Sequence, residues 1–142
     1  MPAVNALASK AFDDETLFSD RVHFVHVYVM EPHPMAPDPA PHSGVVAEDP
    51  VYSQVRQAKT YEERRVDAAL VRPLIEGNQI QLVDELDPDG LINPVWCTYG
   101  TSPNAATLIG RDGIVRMATT WTQAGKAETA IRALVEEEAA GE

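Results

Sequence analysis

Residues 22–34 read VHFVHVYVMEPHP, and the architecture turns on them. The first eight are mostly β-branched or aromatic, so they predict a strand over 22–29 that is continuous enough to be buried on both faces. A strand of that kind belongs to a sheet covered by helices, which places the chain in the α/β class. The strand then stops at Glu31-Pro32-His33-Pro34. Proline fixes φ and has no N–H to donate, so the ladder cannot continue. Five prolines fall between Pro32 and Pro41, opening a proline-rich loop over 32–50. Long loops inside a domain are often functional, although the distal half, 36–49, has the composition of a disordered insertion.

Working outward, residues 3–19 carry Val4, Leu7, Ala8, Ala11 and Phe12 at helical spacing. A long helix is expected over 58–76. Thr60 caps it, Glu63 completes a capping box, and Gly77 ends it. Its apolar face is read as Val66, Leu70, Val71, Leu74 and Ile75. QIQLVDEL (79–86) reads as a strand and DPDG (87–90) as a turn. Residues 105–110 and 113–120 read as two strands joined at Arg111-Asp112, with a glycine on either side, hence a hairpin. A last helix over 125–138 turns Ala127, Ala130, Ile131, Leu134 and Val135 inward. There is no internal repeat and no linker, so residues 1–142 read as a single domain.

The chain has 142 residues and a formal net charge of −11. Such an acidic balance argues against nucleic acid and anionic membrane as partners, because both require a basic footprint. No apolar run is long enough to cross a bilayer and the first residues lack a signal-peptide pattern, so a cytoplasmic protein is expected. The single cysteine, Cys97, excludes an internal disulfide, a CxxC redox pair and a cysteine-based zinc cluster. His33, His42, Glu31 and Asp38 show no compact ligand spacing, and no metal site is expected from them.

YVMEPHP (28–34), YEER (61–64) and YGTSPNAATLIGRDGIV (99–115) together resemble the iodothyronine deiodinase family. That family has a strand ending in Tyr-Ile-x-Glu-x-His-Pro, a helix start Leu-Glu-Asp-Arg and a Tyr-Gly-Ala-x-Pro segment entering a hairpin. Each motif alone is weak; in this order they span nearly the whole chain. The resemblance implies a thioredoxin-like three-layer sandwich with a mixed sheet. The first, central strand of that sheet has no counterpart here.

It also implies a reductive dehalogenase acting on a small organohalide with an external thiol reductant and no bound cofactor. Tyr28, Glu31 and His33 match family site residues. Counting back from His33 along the family's spacing, the selenocysteine position falls at Met1, followed by Pro2. Two expectations follow. Either the natural gene product extends upstream, for instance through an in-frame UGA read as a stop, or the chain has lost its redox centre. The first is preferred. A sheet without its central strand would leave backbone groups unpaired, which strand closure or a homodimer would cover.

In the chemistry the resemblance implies, a chalcogenide takes the halogen while an acid–base group delivers a proton to carbon. Glu31 and His33 stand two apart, so in an extended chain both side chains share a face, with the flanking prolines holding them there. The histidine the family carries ahead of its Leu-Glu-Asp-Arg start is replaced by Ala58, which puts iodothyronine itself in question as substrate; His42 is not expected to substitute. Cys97 is read as a partly buried neighbour of Trp96, or alternatively as a resolving thiol near the substrate. Pro103 matches the family's cis-proline facing the redox residue, with Ser102-Pro103 the cis bond. His23 and His26 are read as structural. Two other functions compete: a non-catalytic thioredoxin-like binding or assembly module, and a peroxiredoxin-like peroxidase using Cys97, whose surroundings lack the motif of such a cysteine.

Overall fold

A computed structural model of the protein describes residues 2–41, 43–47, 55–86, 93–99, 102 and 104–141. The strand read from the opening stretch is β1 (Val25–Tyr28), shorter than expected, and it pairs with β2 (Ile80–Val83). The Ile80 N–H donates to the Phe24 carbonyl and the Asp84 N–H to the Tyr28 carbonyl, each at 2.9 Å. The two bonds step the same way along both chains, which is the parallel sense. A second pair, β3 (Ala106–Ile109) and β4 (Val115–Thr119), is the expected antiparallel hairpin. Among the described residues the class is therefore mixed α/β with two small sheets. β1 is not buried on both faces, since Val25 is 46% exposed. The cause is visible in the topology: its sheet has two strands, not a covered central position.

The chain forms two compact units: Met1–His26 with Leu74–Gln81 and Asn104–Glu142, and Val27–Pro73 with Leu82–Pro103. In the first unit, α1 (Pro2–Ala8) and α2 (Phe18–Arg21) replace the single expected helix over 3–19. The break has a local cause. The Asp13 carboxylate accepts hydrogen bonds from the Glu15 and Thr16 N–H groups, the Thr16 hydroxyl and Arg21, so a side-chain turn outcompetes the helix there. Helix α5 (Ala124–Ala140) presents Ala127, Ile131 and Leu134 as buried residues at the expected spacing. Leu7, Phe18, Ala127 and Ile131 form the core, with Phe12, Phe24, Leu108, Met117 and Val135 against it. Gly113, at φ +80°, supplies the left-handed residue in the hairpin turn.

The second unit is organised by α3 (Tyr61–Val71), which runs into a 3₁₀ turn, Arg72–Leu74. Its start is the capping box read from the sequence. Thr60 Oγ1 accepts the Glu63 N–H at 3.2 Å, and Glu63 Oε2 accepts the Thr60 N–H at 3.1 Å. The helix is turned differently from expectation. Val66 and Leu70 are 59% and 62% exposed, and Leu74 is exposed too, while Arg64 and Ala68 are buried. The inward side is set by what the arginine bonds to, not by the apolar residues.

Arg64 is 1% exposed. Its Nη1 donates to the carbonyls of Asp84 and Glu85 at 3.3 and 2.8 Å, and Nη2 donates to Asn93 Oδ1 at 2.6 Å. The Asp84 carboxylate, also buried, accepts the Val95 and Trp96 N–H groups at 2.9 and 3.0 Å. These are first-turn donors of α4 (Pro94–Tyr99), a helix the sequence reading did not foresee. Asp84 thus caps α4 from a distant part of the chain, and Arg64 ties α3 to both. Burial works to lower the Arg64 pKa, and the charge of Asp84 works against it; an arginine keeps its charge in such a site.

The proline-rich segment closes on itself in its described part. Met35 N–H bonds to the Val55 carbonyl, Ala47 N–H to the Pro34 carbonyl and Ala40 N–H to the Val45 carbonyl. Pro34 and Ala40 are buried, and Asp38 pairs with Lys59 at 2.9 Å, just before α3. The DPDG turn lies outside the described residues.

Removing the guanidinium while keeping an apolar stem tests the role of Arg64. Arg64→Met leaves two backbone carbonyls and a buried amide oxygen without donors. It should cost about 3 kcal/mol in urea denaturation, whereas Arg65→Met, on the exposed side, should cost less than about 0.5 kcal/mol. Equal effects of the two substitutions would contradict this assignment.

Candidate functional site

The end of β1 delivers Tyr28 into the second unit, half-buried. The chain bends at Pro32, so it is not extended through 31–33. That bend decides where the Glu31 carboxylate goes. Oε2 lies 3.4 Å from the Tyr28 hydroxyl, which donates to it, and Oε1 accepts the His33 backbone N–H at 3.0 Å. The expected Glu31–His33 side-chain pair is not formed. Glu31 engages the His33 backbone, while the imidazole is exposed and has no hydrogen-bond partner among the described residues.

Two carboxylates missed by sequence reading join the cluster from α3. Asp67 has its pKa raised, first by burial and then by the charges of Glu31 and Glu63. Tyr28 is held well above the ordinary phenol range, first by burial, then by the charges of Glu31 and Asp67 and the hydrogen bond to Glu31; Arg64 opposes the shift. Glu63 and Asp67, with Thr60, Glu62 and Val66, line an open depression on the surface of α3. The missed signal was helical spacing. Glu63 and Asp67 stand four apart on α3, one turn of the helix.

The arrangement can hold and release protons. It keeps a phenol neutral with its hydroxyl donating to one carboxylate, and it raises the pKa of a second carboxyl. Like charges close together cannot all be ionised cheaply, which is a recurrent origin of acid–base function. Comparison with family models, with curated proteins and with solved structures finds no match to this chain.

The remaining sequence-derived candidates are dispersed. Cys97 lies on α4 and is exposed, not partly buried, while its neighbour Trp96 is buried. Six residues allow little more than one and a half turns, and Trp96 takes the inward position on them. Met1, His42 and Pro103 lie outside the described residues. A cis X–Pro bond occurs at Ala36-Pro37. Among the described residues no group of three histidine, cysteine or acidic side chains is set to hold a metal ion, and no helix is long and apolar enough to cross a membrane. His23 precedes β1 and is exposed; His26 is half-buried within it.

Two measurements follow. An absorbance titration of the tyrosines should leave one phenol un-ionised beyond the ordinary range. Tyr28→Phe should remove that one, and Glu31→Gln should bring it down. The folded state holds the Asp67 proton to higher pH than the unfolded chain does, so stability falls as pH rises through the window above the ordinary carboxylate value. Asp67→Asn should therefore gain stability relative to the wild type between acid and neutral pH, read from urea midpoints. A variant that is less stable than the wild type at neutral pH would contradict the assignment.

Proposed function

We propose that the chain is a thioredoxin-like domain of the deiodinase type, supplying the proton-handling part of a reductive dehalogenation in a reducing, cytoplasmic setting. The observation that carries the reading is the Tyr28–Glu31 contact at the end of β1, with Asp67 favoured toward its protonated form beside it. Replacement of halogen by hydrogen on carbon consumes two electrons and a proton. Two external thiols become a disulfide and release two protons; the carbon takes one, and halide leaves with the other in solution. The cluster described above suits delivery of the carbon-bound proton through an acid positioned near the scissile bond. The element order supports the same reading: a parallel β1–β2 pair joined through α3, then a β3–β4 hairpin and a closing helix, which is the expected order following a first strand. The halogen-accepting chalcogen belongs, on this reading, at the position of Met1.

The test is to restore a nucleophile and ask whether the cluster serves it. A chain with an N-terminal extension and Met1→Cys is incubated with an iodophenol and dithiothreitol, and iodide release is measured. Release is expected from this variant and not from the parent. Asp67→Asn added to it should lower the rate about 100-fold, the scale of general acid–base catalysis, while Cys97→Ser should leave it unchanged. Absence of release, or release indifferent to Asp67→Asn, would overturn the proposal. Absence would point instead to a thioredoxin-like binding module.

A further inference from the structure

The first unit holds a second proton-bearing group, and its hydrogen-bond partners determine its chemistry without reference to the cluster around Tyr28. Asn5 and Gln79 are buried, at 6% and 5% exposure. Asn5 Nδ2 donates to the Leu74 carbonyl at 2.9 Å. Gln79 Nε2 donates both to the Glu76 carbonyl at 2.8 Å and to Asn5 Oδ1 at 3.0 Å. Backbone carbonyls only accept, so each amide is pinned with its nitrogen toward a carbonyl and its oxygen the other way. Gln79 Oε1 is thereby fixed as the atom facing His26 Nε2, at 2.7 Å. An amide oxygen cannot donate, so Nε2 must carry the hydrogen.

We propose that Asn5 and Gln79 form a two-amide relay that presets His26 as an acid–base group, with Nε2–H held and Nδ1 as the atom that takes and gives the proton. Nδ1 has no partner among the described residues and is not sealed from solvent. Protonation there leaves every bond of the relay intact and turns the Nε2–H bond to Gln79 into a charge-assisted one. Nothing needs to rearrange when the proton arrives or leaves. The relay partners are neutral amides, and Glu76 contributes its carbonyl to it. A molecule presenting a weakly acidic O–H or S–H group is the chemical class that such an Nδ1 lone pair receives. His26 is then the acid–base group, and Gln79 and Asn5 are positioning residues. This proposal stands independently of the dehalogenase reading.

The deciding experiment is ¹⁵N NMR of the histidine ring nitrogens in the full chain as pH is varied. In the wild type the His26 Nε2 resonance should stay at an N–H position throughout, with Nδ1 alone moving from a lone-pair to an N–H position. The exposed His23 serves as internal reference and should show mixed tautomers. Gln79→Leu, which removes the acceptor for Nε2–H, should give His26 the mixed pattern. Should Gln79→Leu fail to fold, the wild-type spectrum decides alone. An Nδ1–H tautomer, or two nitrogens that move together in the wild type, would overturn the proposal.

Discussion

A single buried cation sets the form of the second unit. Arg64 reaches the carbonyls after β2 and the side chain of Asn93, while Asp84 turns its carboxylate onto the first N–H groups of α4. Each partner is needed by the others. Without Arg64 the Asp84 and Glu85 carbonyls lose their donor, and without Asp84 the start of α4 loses its acceptor and Arg64 loses the carboxylate charge that opposes its desolvation. Such a network is costly to desolvate and costly to break, so α3 takes the orientation that preserves it. That orientation sends Val66 and Leu70 outward. It also places Asp67 where its charge reaches Tyr28, with Glu63 acting in turn on Asp67.

The site depends on this arrangement more than on its own loop. Pro32 bends the chain so that Glu31 folds back toward Tyr28. The rise in the Tyr28 and Asp67 pKa values comes first from burial, and burial is supplied by how the second unit packs. The two units solve the problem of inward polar groups differently. The second uses a charged hub with a capped helix. The first uses neutral amides in series, Asn5 to Gln79 to His26, which fix direction without adding charge.

Much of the secondary structure was legible in the sequence because its signals are local. The Thr60–Glu63 box, the glycine-flanked hairpin and the apolar spacing of α5 all lie within a few residues of what they specify. The failures around α3 and α4 depend on partners outside the local stretch. An arginine in YEER reads as a surface residue until Asp84, Glu85 and Asn93 are beside it, and Val66, Leu70 and Leu74 read as core until that arginine takes the inward place. Pro94 at the first position of α4 was a local signal for a helix start, but the cap comes from Asp84, ten residues before it. The break between α1 and α2 was foreseeable in Asp13 and Thr16. At the site, Tyr28 and Glu31 were identified from the motif, whereas the Glu31–His33 pairing assumed an extended backbone, and the chain instead bends at Pro32 and His33.

Amide hydrogen exchange at Val95 and Trp96 in the unmodified protein tests the role of the Arg64–Asp84 hub most directly. These two N–H groups have no helical acceptor of their own, and the Asp84 carboxylate is what protects them. They should exchange as slowly as the core amides of α3, because opening them requires breaking the buried network. Exchange at the rate of the exposed loops would contradict the account.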